Sequence, residues 1–244
     1  MSLFLKLTYL FFIGAVLGWV IELLFRRFIS SKNPERKWIN PGFCVGPYVP
    51  LYGFGLCTMY LLASIDARLS AGSSWGAVLV ILMMAVAMTA LEFLAGLLVL
   101  KVSHLRFWDY SHEWRNIMGL ICPKFSLIWA ACSAGYYFLV HPYILDAIEW
   151  LSENLAFSFV IGMFFGIFLI DVAYSSQLVV KLRQFAIEND VVVRYETLKA
   201  QIRHRQDEAR EKVHFLFPFK SELHISEHLR AAHEAIETRK PRKR

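Results

Sequence analysis

WGAVLVILMMAVAMTALEFLAGLLVLKV, residues 75–102, carries a single acid, Glu92, and a single cation, Lys101, in an otherwise uncharged run. A helix rises about 1.5 Å per residue and a bilayer core of about 30 Å needs about 20 residues, so this stretch is long enough to cross with some to spare. Four other segments reach that length: Leu3 to Phe25, Cys44 to Ile65, Ile117 to Val140 and Leu155 to Val180. The pattern predicts an all-α, polytopic membrane helix bundle of about five spans over residues 1–180, followed by a cytoplasmic helical tail over 181–244. The second span is the least regular. Gly46, Pro47, Pro50, Gly53 and Gly55 fall within ten residues, so its first half reads as broken backbone, which is tolerated only where protein or a wet cavity covers it.

The composition agrees. The 244 residues are 57% hydrophobic and 19% charged, against about 25% charge in an ordinary soluble domain. Residues 1–177 hold 11 Lys/Arg and 10 Asp/Glu, whereas the remaining 67 residues hold 15 and 10. A soluble enzyme is excluded, and the basic surplus of the tail points to an anionic lipid surface rather than to nucleic acid. The tail repeats apolar residues near heptad spacing (Val191, Tyr195, Leu198, Ile202, Ala209, Val213) and closes on RKPRKR, residues 239–244. The first apolar run is too long for a signal peptide and is followed by Arg26 and Arg27, so it reads as a retained span. Cys44, Cys57, Cys122 and Cys132 show neither CxxC pairing nor metal-ligand spacing and read as small core residues; no metal or cofactor is expected.

Loop charges set the orientation. Arg26, Arg27, Lys32, Arg36 and Lys37 follow the first span, and Lys101, Arg106, Arg115 and Lys124 surround the third loop; the fourth loop holds Asp146, Glu149 and Glu153 without a cation. The positive-inside bias places these basic loops and the tail in the cytoplasm and the N-terminus outside a plasma (inner) membrane. Gly14 with Gly18, and Gly162 with Gly166, form GxxxG pairs suited to close helix packing within the bundle, with a homo-oligomer seam as the alternative.

Ionisable groups inside spans are costly and mark candidate sites. Glu22, Glu92 and Asp171 all fall in the cytoplasmic halves of their helices. Two polar segments start on the same side, which adds Asn40, Tyr48, Tyr52, Asp109, Tyr110, Ser111, Arg115 and Asn116 to a candidate substrate or ion chamber. The plainer alternative is that Arg26, Arg115 or Lys124 neutralises the acids in structural pairs. His104 and His112 read as solvated loop residues. No P-loop, HExxH or GxSxG motif occurs, so no catalytic residue is assigned.

The order of GWVIE (18–22), NPGF (40–43), GPYVPLYGFG (46–55), the Leu91-Glu92 pair, WDYS (108–111), Asn116 and Gly119 resembles the CmpB family of type IV ABC-transporter permeases and related animal transmembrane proteins. The resemblance spans roughly Leu10 to Trp129 and implies a multi-span membrane protein working with an ATPase or other membrane subunit. It supplies no catalytic residues. Three functions stay open at this level. One is a permease-type subunit whose Glu22, Glu92, Asp109 and Asp171 bind a proton, a cation or a cationic solute, with carbonyls of a broken helix adding ligands. Another is a membrane enzyme acting on a lipid head group, with Asp109 or Glu92 as base, Asn116 and Tyr52 orienting the substrate and Arg115 holding phosphate. The last is a non-catalytic scaffold whose tail recruits a partner.

Overall fold

The computed structural model describes residues 2–30, 33–34, 36–42, 44–69, 74–188 and 193–194. Helices α1 (Leu3–Phe28), α2 (Pro50–Leu69), α3 (Ser74–Ser103), α4 (Pro123–Gly135), α5 (His141–Glu153) and α6 (Ser158–Glu188) form the bundle. A π-helical turn, Tyr136–Val140, joins α4 to α5 in one run, and a 3-10 turn, Leu155–Phe157, leads into α6. The described residues therefore make five rods. Among them three stretches are long and apolar enough to cross a membrane: Leu3–Phe28, Trp75–Ser103 and Leu155–Gln177; the apolar part of α2, Pro50–Ile65, is shorter.

Two helix starts differ from those expected. The segments read as beginning at Cys44 and Ile117 become helical only at Pro50 and Pro123. Proline suits the first helical position because its missing N–H would have no partner there, and it pushes the residue before it into extended backbone. Cys122 has that conformation, φ −151° and ψ 158°. The irregular backbone expected in the Gly/Pro segment is present, but it precedes α2 and does not interrupt it. The stretch read as the fourth loop, with Asp146, Glu149 and Glu153, is helical throughout as α5.

Packing is tightest between α1 and α2. A Cβ added at Gly14 would lie 2.8 Å from the Tyr52 carbonyl, one at Gly53 would lie 2.8 Å from the Phe11 carbonyl, and one at Gly18 would overlap the Tyr52 ring. These glycines are needed for close approach, which brings α1 residues directly onto α2. The backbone just before α2 is tied to α1 where Val49 N–H donates to the Ala15 carbonyl at 2.9 Å. The main core gathers Leu10, Met59, Val80, Met84, Tyr136, Ile144, Leu151 and Ile161.

α6 is the least covered helix. It packs through Phe164, Phe165 and Phe168 against Phe11 and Tyr48, while Phe159, Met163, Ile167, Ile170 and Tyr174 are exposed. Gly162 and Gly166 meet nothing within 4 Å. The packing expected of that GxxxG within the bundle is thus absent among the described residues, because α6 turns its phenylalanine face inward. Cys44 and Cys122 are buried and Cys57 half-buried as expected, whereas Cys132 is exposed.

β1 (Leu105–Arg106) and β2 (Val193–Arg194) form a short parallel ladder, so the chain after α6 returns to the end of α3. The heptad stripe and the basic hexamer of the tail lie outside the described residues.

Candidate functional site

Glu92 lies in the C-terminal half of α3 and is 5% exposed. Its oxygens have separate partners. Tyr110 donates its hydroxyl to Oε1 at 2.9 Å, and Trp129 of α4 donates its indole N–H to Oε2 at 2.9 Å. The ion pairs given for the described residues, Arg26–Glu22, Arg106–Asp109 and Lys124–Glu113, do not include Glu92. Tyr110 is held in place by stacking on Phe125, with centroids 4.3 Å apart and planes 14° apart. Burial first, and then the adjoining Glu92 carboxyl, push the Tyr110 phenol far above its ordinary range, so it stays a neutral hydroxyl.

Glu22 lies one residue layer away. Its Oε1 accepts from Arg26 Nε at 3.0 Å and its Oε2 from the Tyr52 hydroxyl at 3.0 Å. The Tyr52 ring sits 6.4 Å from that of Trp129, which links the two acids through one aromatic wall. Arg26 therefore neutralises Glu22 as a helix-surface pair one turn apart, while Glu92 keeps only neutral donors. The structure brings together Glu22, Tyr52, Glu92 and Tyr110 from the sequence-predicted set.

Asp171 belongs to a second cluster. On α6, it accepts from the backbone N–H of Val45 at 3.1 Å, the N–H of Gly46 at 2.7 Å, the Ser175 hydroxyl at 2.9 Å and the Tyr48 hydroxyl. Asn40 braces the same turn: its Nδ2 donates to the Cys44 and Val45 carbonyls, and its Oδ1 accepts from Trp19 Nε1 at 2.6 Å. Asn40, Tyr48 and Asp171 thus fold the Gly/Pro segment into a compact turn and present it to α1.

The remaining predicted residues form the loop between α3 and α4. Asp109 Oδ1 accepts from Arg106 at 3.2 Å and from the Ser111 N–H at 3.0 Å. Asn116 donates to the Ser111 and Glu113 carbonyls and accepts from the Gly119 N–H. Gly119 has φ +70° and its carbonyl accepts from Tyr110 N–H at 2.8 Å, so this left-handed turn delivers the Tyr110 side chain to Glu92. Arg115 points away from the acids and lies over the Trp114 ring at 4.6 Å. Lys124 pairs with Glu113. Of the three cations considered as neutralisers, only Arg26 reaches one of the buried acids.

Trp129, Ser175 and Trp19 are site residues that the sequence did not single out. The signal for Trp129 was its place nearly two turns past the start of a helix; an indole N–H in a dry interior needs an acceptor. Ser175 was discoverable one turn after Asp171.

A helical bundle with helices this long and apolar is that of an integral membrane protein. Over residues 9–176 the chain matches the protein family described as "putative ABC-transporter type IV", and it belongs to that family. No curated protein and no solved structure matches it.

Proposed function

We propose that the protein is the membrane subunit of a transporter and that Glu92 is its proton-binding group, in a polar chamber that Glu22, Tyr52 and Tyr110 line and that opens to the cytoplasm. The observation that carries this reading is the pair of donors on Glu92. Trp129 can only donate, but the Tyr110 hydroxyl can donate or accept. Ionised Glu92 accepts from both. Protonated Glu92 accepts from Trp129 with its carbonyl and donates its own proton to the Tyr110 oxygen after that hydroxyl rotates. One frame therefore offers Glu92 a partner in both protonation states, and a cation-paired acid such as Glu22 lacks that freedom.

The cytoplasmic opening follows from the basic loops after α1 and α3 and is supported by the ladder joining the chain beyond α6 to the end of α3. The family description supports an ATPase subunit as partner. Anionic lipid at the basic tail is part of the same orientation.

Infrared difference spectroscopy of the protein in lipid, taken between mildly acidic and mildly alkaline pH, tests the reading without knowledge of the cargo. A protonated-carboxyl band that appears with pH and is missing in Glu92→Gln is expected. An identical difference spectrum in Glu92→Gln would overturn the assignment. The Gln variant should fold, because its carbonyl accepts from Trp129 and its amide donates to Tyr110.

A further inference from the structure

We infer that the opposite end of the bundle holds a second site, for a ligand that carries a phosphate and an ammonium on a short linker. A cavity of about 330 Å³ opens there, lined by Lys6 of α1, Tyr60 of α2, and Leu145, Ile148, Glu149 and Ser152 of α5. That volume is at the small end of the roughly 300–1,000 Å³ typical of small-molecule sites. Lys6 is about 24 Å of helix rise from Glu22 on the same helix, so this cavity is separate from the acid cluster.

Lys6 and Glu149 bring opposite charges to one cavity, yet neither belongs to an ion pair among the described residues. A lysine ammonium binds phosphate as a point charge and a carboxylate binds an ammonium, each by a charge-assisted hydrogen bond. Ser152 adds a hydroxyl oxygen as acceptor, its own proton being donated to the Glu149 carbonyl at 2.7 Å. Ile148 and Tyr60, at 6% and 7% exposure, give an apolar floor for the methylenes between the two charged ends.

The backbone beside the cavity is itself irregular. The π turn Tyr136–Val140 directly precedes α5, and such turns, which insert an extra residue into a helix, are concentrated at functional sites. Here it brings the Tyr136 hydroxyl to 3.1 Å from His141 Nδ1 and places the His141 ring 6.2 Å from the Tyr60 ring. The change in helical register sets the Ile148, Glu149 and Ser152 face of α5 against Lys6 and Tyr60.

The chemistry is that of phosphoethanolamine, borne on a lipid or free in solution. The test uses the full chain, delipidated in non-ionic detergent, with native mass spectrometry as the readout. Phosphatidylethanolamine should bind about tenfold more tightly than phosphatidylglycerol, which lacks the ammonium, as the loss of one charge-assisted hydrogen bond implies. Glu149→Gln should erase that preference, and Lys6→Ala should weaken both lipids. Leu145→Trp, at a half-exposed position where a larger side chain can be accommodated, should block the cavity and serves where Lys6→Ala fails to fold. Free phosphoethanolamine binding with similar affinity would identify a soluble ligand; binding of the lipid alone would identify a membrane lipid. Equal affinity for the two lipids in the parent with no binding of free phosphoethanolamine, or a preference that survives Glu149→Gln, would overturn the inference.

Discussion

Glu92 and Asp171 are both acids inside helices of an apolar bundle, yet their surroundings are built for different ends. Asp171 accepts from two backbone amides and two hydroxyls. The backbone donors cannot reverse, and they use this carboxyl to shape the turn before α2. Glu92 meets one fixed donor and one reversible hydroxyl. The difference teaches that burial alone does not mark a functional acid; what matters is whether its partners tolerate a change of charge.

That contrast can be broken most directly at Asp171. Asp171→Asn turns an amide N–H toward donors and leaves at least one of the Val45 and Gly46 amides without its acceptor. A loss of about 1–3 kcal/mol in stability is expected, seen as a lower melting point in detergent and faster hydrogen exchange at Val45 and Gly46. A variant as stable as the parent would return Asp171 to the set of candidate ion-binding groups.

Tyr110→Phe should have the next largest effect. It keeps the stacking on Phe125 but removes the reversible partner of Glu92, at a cost of about 1 kcal/mol. Both forms of Glu92 then lack one hydrogen bond, and its infrared band should change position. An unshifted band would mean that another group serves Glu92.

Glu92→Gln sharpens the comparison from the other side. Stability should fall by less than about 1 kcal/mol, because the amide satisfies both partners, while transport coupled to the acid should be lost. A drop as large as that of Asp171→Asn would make Glu92 a structural acid too.

The smallest effect is expected at Gly162→Ala, which adds a methyl to open space on α6 and should stay within about 0.5 kcal/mol of the parent. A large loss of assembly in gel filtration would instead show that α6 packs against another chain.

Much of the bundle was legible in the sequence. The long apolar runs and the three acids within them required only a count of residues and charges. Helix starts were read too early at Cys44 and Ile117, because hydropathy cannot tell an apolar turn from an apolar helix, whereas proline geometry sets the boundary at Pro50 and Pro123. The candidate site was legible only as a list. Its eleven residues divide among the Glu92–Glu22 wall, the Asp171 cradle and the α3–α4 loop, where Arg115 lies over the Trp114 ring.

Hydropathy is a sum over neighbours in the chain, so residue order alone determined that this protein is a membrane helix bundle, and also which helices carry acids and at what depth. Partner choice is a property of helix rotation and of contacts between distant segments. Val45 and Asp171 are 126 residues apart and Trp129 and Glu92 are 37 apart. Only the packing of α1 on α2 through Gly14, Gly18 and Gly53, and of α4 on α3, decided that one acid holds a turn together while another meets a hydroxyl that can either donate or accept.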